Sequence, residues 1–190
     1  MKYEKFPFKI EKQYRLPEFD YSQNGYYFVT ICNKDRQNYF GKIKNNTMEL
    51  SQIGNIVNRF WKQIPNKFKE IKLDEHCIMP NHLHGIINVS PVGIVGTHHD
   101  AFLQKNNNLI KNKIDFSQLA NKSTQTISLA VKLFKSSVKQ YCNKNNLIFA
   151  WQSRFHDRII RNEREYFAIK HYIQDNPKNW EKDRNNQLIS

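Results

Sequence analysis

Two histidines separated by one residue form the strongest chemical signal in the chain. They are His82 and His84, within the run MPNHLHG at 79–85. In a strand, side chains two residues apart point to the same face, so both imidazoles would project together while Leu83 enters the core. Two neutral imidazoles placed in this way supply half of a metal site. The alternative is a pair of sheet-surface histidines that bind nothing.

A tyrosine and an asparagine at helical spacing form the second signal. Tyr172 and Asn176 lie within YIQDNP at 172–177, and residues four apart share one face of a helix. A phenol would then lie beside an amide oxygen able to complete the coordination of a metal. Pro177 disfavours helical geometry at Asn176, which weakens this expectation. Tyrosines near helix ends also commonly serve as amphipathic packing residues.

Together the two signals supply a nucleophile, two imidazoles and a third ligand. A tyrosine phenol has a pKa of about 10, so it attacks poorly until its phenolate is favoured. A divalent metal polarises a scissile phosphate and stabilises the charge that develops on it. The combination favours phosphoryl transfer through a phosphotyrosine at Tyr172, with Mg²⁺ or Mn²⁺ as the cofactor.

The charge of the chain indicates a polyanionic partner. Thirty Lys and Arg face seventeen Asp and Glu, a net charge of +13, and nucleic acid is the commonest polyanion in a cytoplasm. A basic surface that only keeps the protein soluble is the alternative. Candidate DNA-binding residues on the second long helix and around the last strand are Lys132, Lys135, Lys139, Arg154 and Arg158.

Composition predicts a globular cytoplasmic protein. Apolar residues make up 39% and aromatic residues 13% of the chain, enough to bury a core. No apolar run has the length of a signal peptide or a membrane span, so no membrane partner is expected. Cys32, Cys77 and Cys142 are far apart and odd in number, which suits a reducing compartment.

The hydrophobic pattern predicts an α+β fold within one domain, 1–190. Strands are predicted at 26–32, 71–79, 83–89 and 155–160, a hairpin at 39–50, and helices near 52–64, 127–144 and 162–176. This order is the ferredoxin-like (RRM-like) β-α-β-β-α-β arrangement. It predicts an antiparallel sheet with helices packed on one face, plus a C-terminal helix carrying the tyrosine. The polar segment from Ser90 to Thr126 is predicted to be a flexible insertion.

Further landmarks flank the two motifs. They are RLP at 15–17, DY at 20–21, YFVTIC at 27–32, FG at 40–41, FKS at 134–136, WQ at 151–152, Phe155, Asp157 and IR at 160–161. In these, and in its His-Leu-His and Tyr-Ile…Asn-Pro motifs, the chain resembles the REP-associated tyrosine transposases, a group of single-tyrosine HUH transposases. The likeness runs in order over most of 15–180.

The resemblance implies an enzyme that nicks and joins single-stranded DNA near hairpins or imperfect palindromes. It implies metal-ligand roles for His82, His84 and Asn176, and the nucleophile's role for Tyr172. It also favours a monomer, with a dimer as the alternative. The segment 90–126 is longer and richer in Asn than the resemblance predicts.

Two other functions fit parts of the sequence. One is a non-catalytic nucleic-acid-binding module with an RRM-like sheet, on which Tyr26, Tyr27 and Phe28 would stack bases. The other is a small zinc hydrolase built on the two histidines. It requires one more ligand at a recognisable spacing, and the sequence offers none.

Overall fold

The computed structural model describes residues 25–90, 116–183, 185 and 186, with only the backbone for 116–125. The strands are β1 (Gly25–Cys32), β2 (Gly41–Lys44), β3 (Thr47–Leu50), β4 (Ile71–Ile78), β5 (His82–Val89) and β6 (His156–Ile160). The helices are α1 (Gln52–Lys62), α2 (Ile64–Lys67), α3 (Phe116–Lys144) and α4 (Glu163–Asp175), with 3-10 turns at Lys34–Arg36 and Pro177–Lys182. None of these described helices is long and apolar enough to cross a membrane.

Four strands form one sheet in the order β4-β5-β1-β6, with every neighbouring pair antiparallel. This is the predicted ferredoxin-like arrangement, and the α+β fold class is confirmed. The remaining strands, β2 and β3, pair as the predicted hairpin. The hairpin turns at Asn45 and Asn46, which adopt φ angles of 50° and 59°. Asparagine tolerates this left-handed region better than most residues.

Alternation along the strands creates two apolar faces. On one face Tyr27 and Val29 pack with Trp61 of α1 and Phe134 of α3. On the opposite face a smaller cluster joins the sheet to α4 and includes Ile173. The tyrosine-bearing helix therefore lies across the sheet from α1 and α3. The layout agrees with the prediction of helices on one face and a separate C-terminal helix.

The helix ends follow local capping chemistry. Ser51 caps α1, as predicted, by accepting a hydrogen bond from the Gly54 amide at 3.1 Å. Asn162 caps α4 by accepting from the Glu165 amide at 2.8 Å. Each side chain replaces a partner that the first turn of a helix lacks.

The expectation that Pro177 would draw Asn176 out of helical geometry was wrong. Asn176 has φ −56° and ψ −43°. Pro177 begins the 3-10 turn after α4, and a proline is tolerated in a first turn because its missing N–H is not needed there.

The second long helix begins earlier than predicted. α3 starts at Phe116 rather than near Ile127, so the last part of the predicted 90–126 insertion is helical. That part, FSQLANKSTQT at 116–126, has apolar residues at helical spacing only at Phe116, Leu119 and Ala120, and the polar run 121–126 separates them from Ile127. The remainder of the predicted insertion, 91–115, lies outside the described residues.

Candidate metal centre and nucleophile

β5 brings His82 and His84 side by side, as their spacing predicts. Their ring centroids are 4.5 Å apart, and the two residues are 0% and 2% exposed. In the pairing with β1, His82 lies opposite Cys32 and His84 opposite Thr30. Both imidazoles therefore occupy the sheet face that carries α4. They lie at the start of β5, which pairs with β4 on one side and β1 on the other.

Asn81 determines which nitrogen of His82 carries a hydrogen. Its amide nitrogen donates to the carbonyl oxygens of Arg36, at 3.0 Å, and Asn185, at 2.7 Å. The Asn81 amide oxygen is therefore the acceptor in the 2.8 Å contact with Nδ1 of His82. In this tautomer Nε2 of His82 keeps the lone pair that a metal requires, and the hydrogen bond orients the ring.

Thr30 and Phe28 hold His84 from the neighbouring strand. The Thr30 hydroxyl lies 2.8 Å from Nδ1 of His84 and can accept its hydrogen, which leaves Nε2 as the ligand atom. The Phe28 ring stacks on the imidazole with centroids 5.1 Å apart. Nε2 faces the hydroxyl of Tyr172 at 3.3 Å.

α4 carries Tyr172, and Asn176 caps the C-terminal end of this helix one turn later. The half-buried Tyr172 ring lies edge-on to Phe28 at 6.2 Å. Asn176 is only 2% exposed, and its side-chain oxygen accepts no hydrogen bond from the described residues. Burial of an unsatisfied amide oxygen is unfavourable, and a bound metal ion would satisfy it.

The structure adds a ligand candidate that sequence reasoning missed, Asp183. Ligand atoms of His82, His84 and Asp183 all lie within 4.8 Å of one another, and all three residues are buried. Two imidazoles and a carboxylate form a donor set suited to a divalent metal, so the group can hold such an ion. Asp183 lies in an irregular segment, and no spacing in the sequence relates it to the histidines.

The segment that carries Asp183 is anchored to the sheet at its next described residue. Asn185 receives hydrogen bonds from the side chains of Asn81 and Arg36, each at 2.7 Å. Its own amide donates to the Asp183 carboxylate at 2.6 Å. The ring of Trp180, in the preceding 3-10 turn, lies 6.1 Å from that of His82. Asn81, which orients His82, thus also anchors Asn185, whose amide holds the Asp183 carboxylate.

A buried polar cluster attaches α4 to the edge strand β4. Tyr166 donates to one oxygen of the Asp74 carboxylate at 2.5 Å, and the Lys170 ammonium lies 3.2 Å from the other. Asp74 lies where the pairing of β4 with β5 shifts register, between Leu73 and His76. The irregularity allows Asp74 to reach the helix, and the cluster helps to set the position of α4 on the sheet.

The cluster perturbs the acidities of its members. Burial alone would raise the pKa of Asp74, but the hydrogen bonds from Tyr166 and Lys170 outweigh it and lower that pKa. Burial, together with donation to Asp74, raises the pKa of Tyr166 to about 12. Tyr166 is therefore a poor source of phenolate, although it lies on the same helix as Tyr172.

Close packing supports β5 from the core side. Gly85 follows His84 directly, and a Cβ added to it would lie 2.4 Å from the Trp61 ring. Trp61 is fully buried. No side chain larger than hydrogen fits at Gly85 unless Trp61 or β5 moves.

The predicted DNA-binding cations have different surroundings. Lys132 and Arg154 are exposed. Lys135, however, donates to the carbonyl oxygens of Gln152 and Ser153 at 2.6 and 3.0 Å. The ammonium of Lys135 therefore fixes the chain between α3 and β6.

The other two predicted cations also have partners within the protein. Lys139 donates to the carbonyl oxygen of Phe149 at 2.6 Å. Arg158 forms an ion pair with Glu165 at 2.5 Å.

The aromatic residues of β1 are buried. Tyr26, Tyr27 and Phe28 are 5%, 2% and 7% exposed, and they pack against α4 or the core. Stacking of bases on these rings, the basis of the non-catalytic module, requires exposed rings. The geometry therefore disfavours that function.

No family model matches the chain. An uncharacterized protein of Haemophilus influenzae is 40% identical over 172 residues, which cover 90% of this chain and 89% of that protein. Among solved structures, the chain is similar to a REP-associated tyrosine transposase bound to a REP hairpin, with 17% identity and a TM-score of 0.49 over 88% of this chain and 73% of that one. It is also similar to a proposed transposase from Deinococcus radiodurans R1, with 11% identity and a TM-score of 0.38 over 86% and 97%.

Proposed function

We propose, from the geometry of the site, that the protein is a metal-dependent enzyme that nicks and joins single-stranded DNA. The chain belongs to the same family as the uncharacterized Haemophilus influenzae protein, and that relationship indicates no activity. The observation that carries the proposal is the 3.3 Å contact between the Tyr172 hydroxyl and Nε2 of His84. A potential nucleophile thus lies against a potential metal ligand. The motif resemblance to the REP-associated tyrosine transposases supports the same activity.

Tyr172 is the nucleophile of the proposed reaction. Its phenol gives its proton to solvent water, its oxygen forms a bond to the scissile phosphorus, and the bond from phosphorus to the leaving oxygen breaks. The leaving strand takes up a proton as a hydroxyl. Rejoining reverses these steps, since the phosphotyrosine retains the energy of the phosphodiester. Phe28, which lies edge-on to the Tyr172 ring, orients the nucleophile.

A divalent metal would supply charge stabilisation at the phosphate and orient the leaving oxygen. His82 and His84 would hold it through Nε2, with Asn81 fixing the tautomer of His82 and the Thr30 hydroxyl able to accept the Nδ1 hydrogen of His84. Oxygen ligands would complete the set, and the candidates are Asp183 and Asn176. Asp183 has a ligand atom within 4.8 Å of those of the two histidines. Asn176 has a buried amide oxygen that accepts no hydrogen bond from the described residues. Because imidazole is a softer ligand than carboxylate, this mixed set favours Mn²⁺ over Mg²⁺.

The proposed substrate is single-stranded DNA, with cleavage near hairpins or imperfect palindromes. The net charge of +13 supports a polyanionic partner. The preference for hairpins rests only on the motif resemblance to the REP-associated tyrosine transposases.

A second function is favoured by one observation, the position of Asp183. The carboxylate supplies the third ligand that a metal-dependent hydrolase would require. In that case water would attack the phosphate, and no bond to Tyr172 would form. The two functions differ in a single product, the covalent adduct.

The decisive experiment incubates the protein and its Tyr172→Phe variant with hairpin oligonucleotides labelled at either end, with Mn²⁺ or with EDTA. Denaturing gels then separate free strands from protein-linked strands. Nicking and joining predicts one end-labelled fragment linked to wild-type protein, and none with the variant or with EDTA. Metal-dependent cleavage that persists in Tyr172→Phe, with no adduct in wild type, would establish the hydrolase instead.

A further inference from the structure

A cavity of about 520 Å³ opens beside the end of β1. One wall is the turn that follows the strand and includes Lys34, Asp35 and Arg36. The other wall is formed by Trp151 and Gln152, between α3 and β6. The volume lies in the range of small-ligand sites. Neither the proposed nucleophile nor the proposed metal ligands line this cavity.

Both walls are held in place by backbone hydrogen bonds. The amide of Lys34 donates to the carbonyl of Ala150 at 3.0 Å, and the amide of Gln152 donates to the carbonyl of Cys32, also at 3.0 Å. The Lys135 ammonium binds the second wall to α3 through the carbonyl of Gln152. The cavity is therefore preformed, and a ligand would not have to order it.

The lining combines three chemistries. Lys34 and Arg36 are exposed cations, although one guanidinium nitrogen of Arg36 already donates to Asn185, and Asp35 is an exposed carboxylate between them. The indole N–H of Trp151 already donates to the carbonyl of Lys135 at 3.0 Å. The Trp151 ring also packs against Phe149, with centroids 4.8 Å apart, and against Phe40 and Phe134, so only the part of Trp151 that stays exposed lines the cavity.

This combination suits a nucleotide better than a simple anion. A carboxylate repels free phosphate but accepts a hydrogen bond from the exocyclic amino group of a base. The exposed part of Trp151 offers apolar contact to a base, and the cations suit the sugar–phosphate backbone.

The cavity adjoins the candidate metal centre. The amide of Asn33, in the cavity wall, donates to the carbonyl of Asn81 at 2.9 Å, and Asn81 precedes and orients His82. The cavity wall is thus joined through Asn81 to the start of β5, where His82 lies.

We propose that the cavity binds one nucleotide of the DNA strand, next to the cleaved phosphate, and favours bases that carry an amino group. The proposal rests on the proposed function for the identity of its ligand. Asp35 would set the base preference, the exposed part of Trp151 would contact the base, and Lys34 would bind the backbone.

The first test locates the DNA. Protein labelled with 5-fluorotryptophan gives one ¹⁹F resonance for each of its three tryptophans. Titration with octadeoxycytidylate in EDTA, which prevents cleavage, should shift the Trp151 resonance and leave that of the fully buried Trp61 unchanged. A shift confined to Trp180, beside His82, or an unmoved Trp151 resonance at saturating DNA, would overturn the proposal.

The second test measures affinity by fluorescence anisotropy, again in EDTA. Lys34→Ala should weaken binding of octadeoxycytidylate at least about threefold and reduce the salt dependence by roughly 0.7 in log–log slope. Lys72→Ala is the matched control. Lys72 is an exposed residue of β4 that pairs with Asn88, toward the end of β5 away from His82. Equal weakening by both variants would contradict a site at Lys34.

The third test concerns the base. Wild-type protein should prefer octadeoxycytidylate to octathymidylate at least about threefold, the scale of one hydrogen bond. Asp35→Gly should remove the preference without straining the backbone, because Asp35 has a φ of 52° that glycine readily adopts. An unchanged preference would overturn the role of Asp35.

Failure of this proposal is distinguishable from failure of the proposed function. An adduct at Tyr172 with an unshifted Trp151 resonance would overturn the cavity and leave the enzyme intact. A shifted Trp151 resonance without any adduct would overturn the proposed nicking and joining activity and leave the cavity as a nucleotide site. Absence of all binding to the octamers at low salt would overturn the cavity as a nucleotide site.

Discussion

The Tyr172 hydroxyl lies 3.3 Å from Nε2 of His84, although the two residues are 88 positions apart in the chain. Tyr166, on the same helix, donates instead to Asp74. The two tyrosines of α4 thus differ in their partners: one faces an imidazole that can bind a metal, and the other faces a carboxylate. This difference allows the chemistry of the site to be tested with paired variants.

Tyr172→Phe should abolish the covalent adduct while DNA binding stays within about twofold, because the hydroxyl contributes little to contacts with phosphates. Tyr166→Phe should keep the adduct and lose about 1 kcal/mol of stability, the scale of one hydrogen bond. Mass spectrometry of the nuclease-trimmed adduct identifies the modified tyrosine, and urea unfolding gives the stability. A nucleotide mass on Tyr166, or cleavage by Tyr172→Phe with an adduct elsewhere, would contradict the proposed nucleophile.

Removal of a metal ligand should separate catalysis from DNA binding. His82→Ala or His84→Ala should abolish cleavage and weaken Mn²⁺ binding by about tenfold or more, measured by calorimetry, with most DNA affinity retained. Excess EDTA should abolish wild-type activity, and Mn²⁺ should restore it. Full cleavage in EDTA would contradict a metal-dependent mechanism.

The same calorimetry can decide which oxygen ligand completes the site. Asp183→Asn and Asn176→Ala should each weaken Mn²⁺ binding if both side chains coordinate. We expect the larger loss for Asp183→Asn, because a charge is removed from a buried set of ligand atoms. Mn²⁺ affinity unchanged by Asp183→Asn would leave Asn176 as the third ligand.

The pH dependence of stability should report on Asp74. Its folded pKa is lowered below the ordinary value of 3.8. Its contribution is therefore complete at pH values above 3.8 and is lost as the pH falls through the lowered pKa, since the unfolded chain takes up the proton first. Asp74→Asn should cost about 2 kcal/mol at neutral pH, and the difference from wild type should shrink in acid.

Asp175→Asn is the matched control for Asp74→Asn. Asp175 also lies on α4, but its pairing with Lys178 is largely exposed, with side-chain exposures of 52% and 65%. The substitution should change the free energy of unfolding by less than about 0.5 kcal/mol. If urea unfolding curves show equal losses for both variants, the buried cluster is not what attaches α4 to β4.

Lysines of α3 should separate into two classes. Lys132→Ala should reduce the log–log salt dependence of single-stranded DNA binding by roughly 0.7 if this exposed lysine contacts a phosphate. Lys139→Ala should instead lower stability and leave the slope unchanged, because its ammonium already binds the carbonyl of Phe149. Salt titrations and urea unfolding distinguish the two. A changed slope for Lys139→Ala alone would place the DNA nearer the segment that carries Phe149.

The parts of the candidate site that lie within regular elements could be predicted from the sequence. Two-residue periodicity placed His82 and His84 together, and four-residue spacing placed Tyr172 and Asn176 one turn apart. Asp183 could not be found in this way. It lies in an irregular segment, and its position depends on hydrogen bonds that involve Asn185 and Asn81. Such long-range contacts leave no periodic signal.

The fold was predicted where apolar residues repeat and missed where they do not. The four-stranded sheet followed from the strand patterns, whereas the apolar residues Phe116, Leu119 and Ala120 at the start of α3 are separated from Ile127 by the polar run 121–126. The role of Lys135 was also hidden. The sequence places it on a helix face, but a flexible side chain can reach either solvent or a backbone carbonyl, and here it binds Gln152.

A Cβ at Gly85 would lie 2.4 Å from the Trp61 ring. Substitutions at these two positions, one beside the site and one in the core, are therefore coupled in evolution. A relative with alanine at this position would require a smaller side chain in place of the tryptophan, so the two positions should change together. Gly85→Ala alone should displace β5 and with it the neighbouring His84. Gly85→Ala combined with Trp61→Phe should restore part of that geometry, and such pairwise compensation would be visible across aligned relatives without any knowledge of what the protein binds.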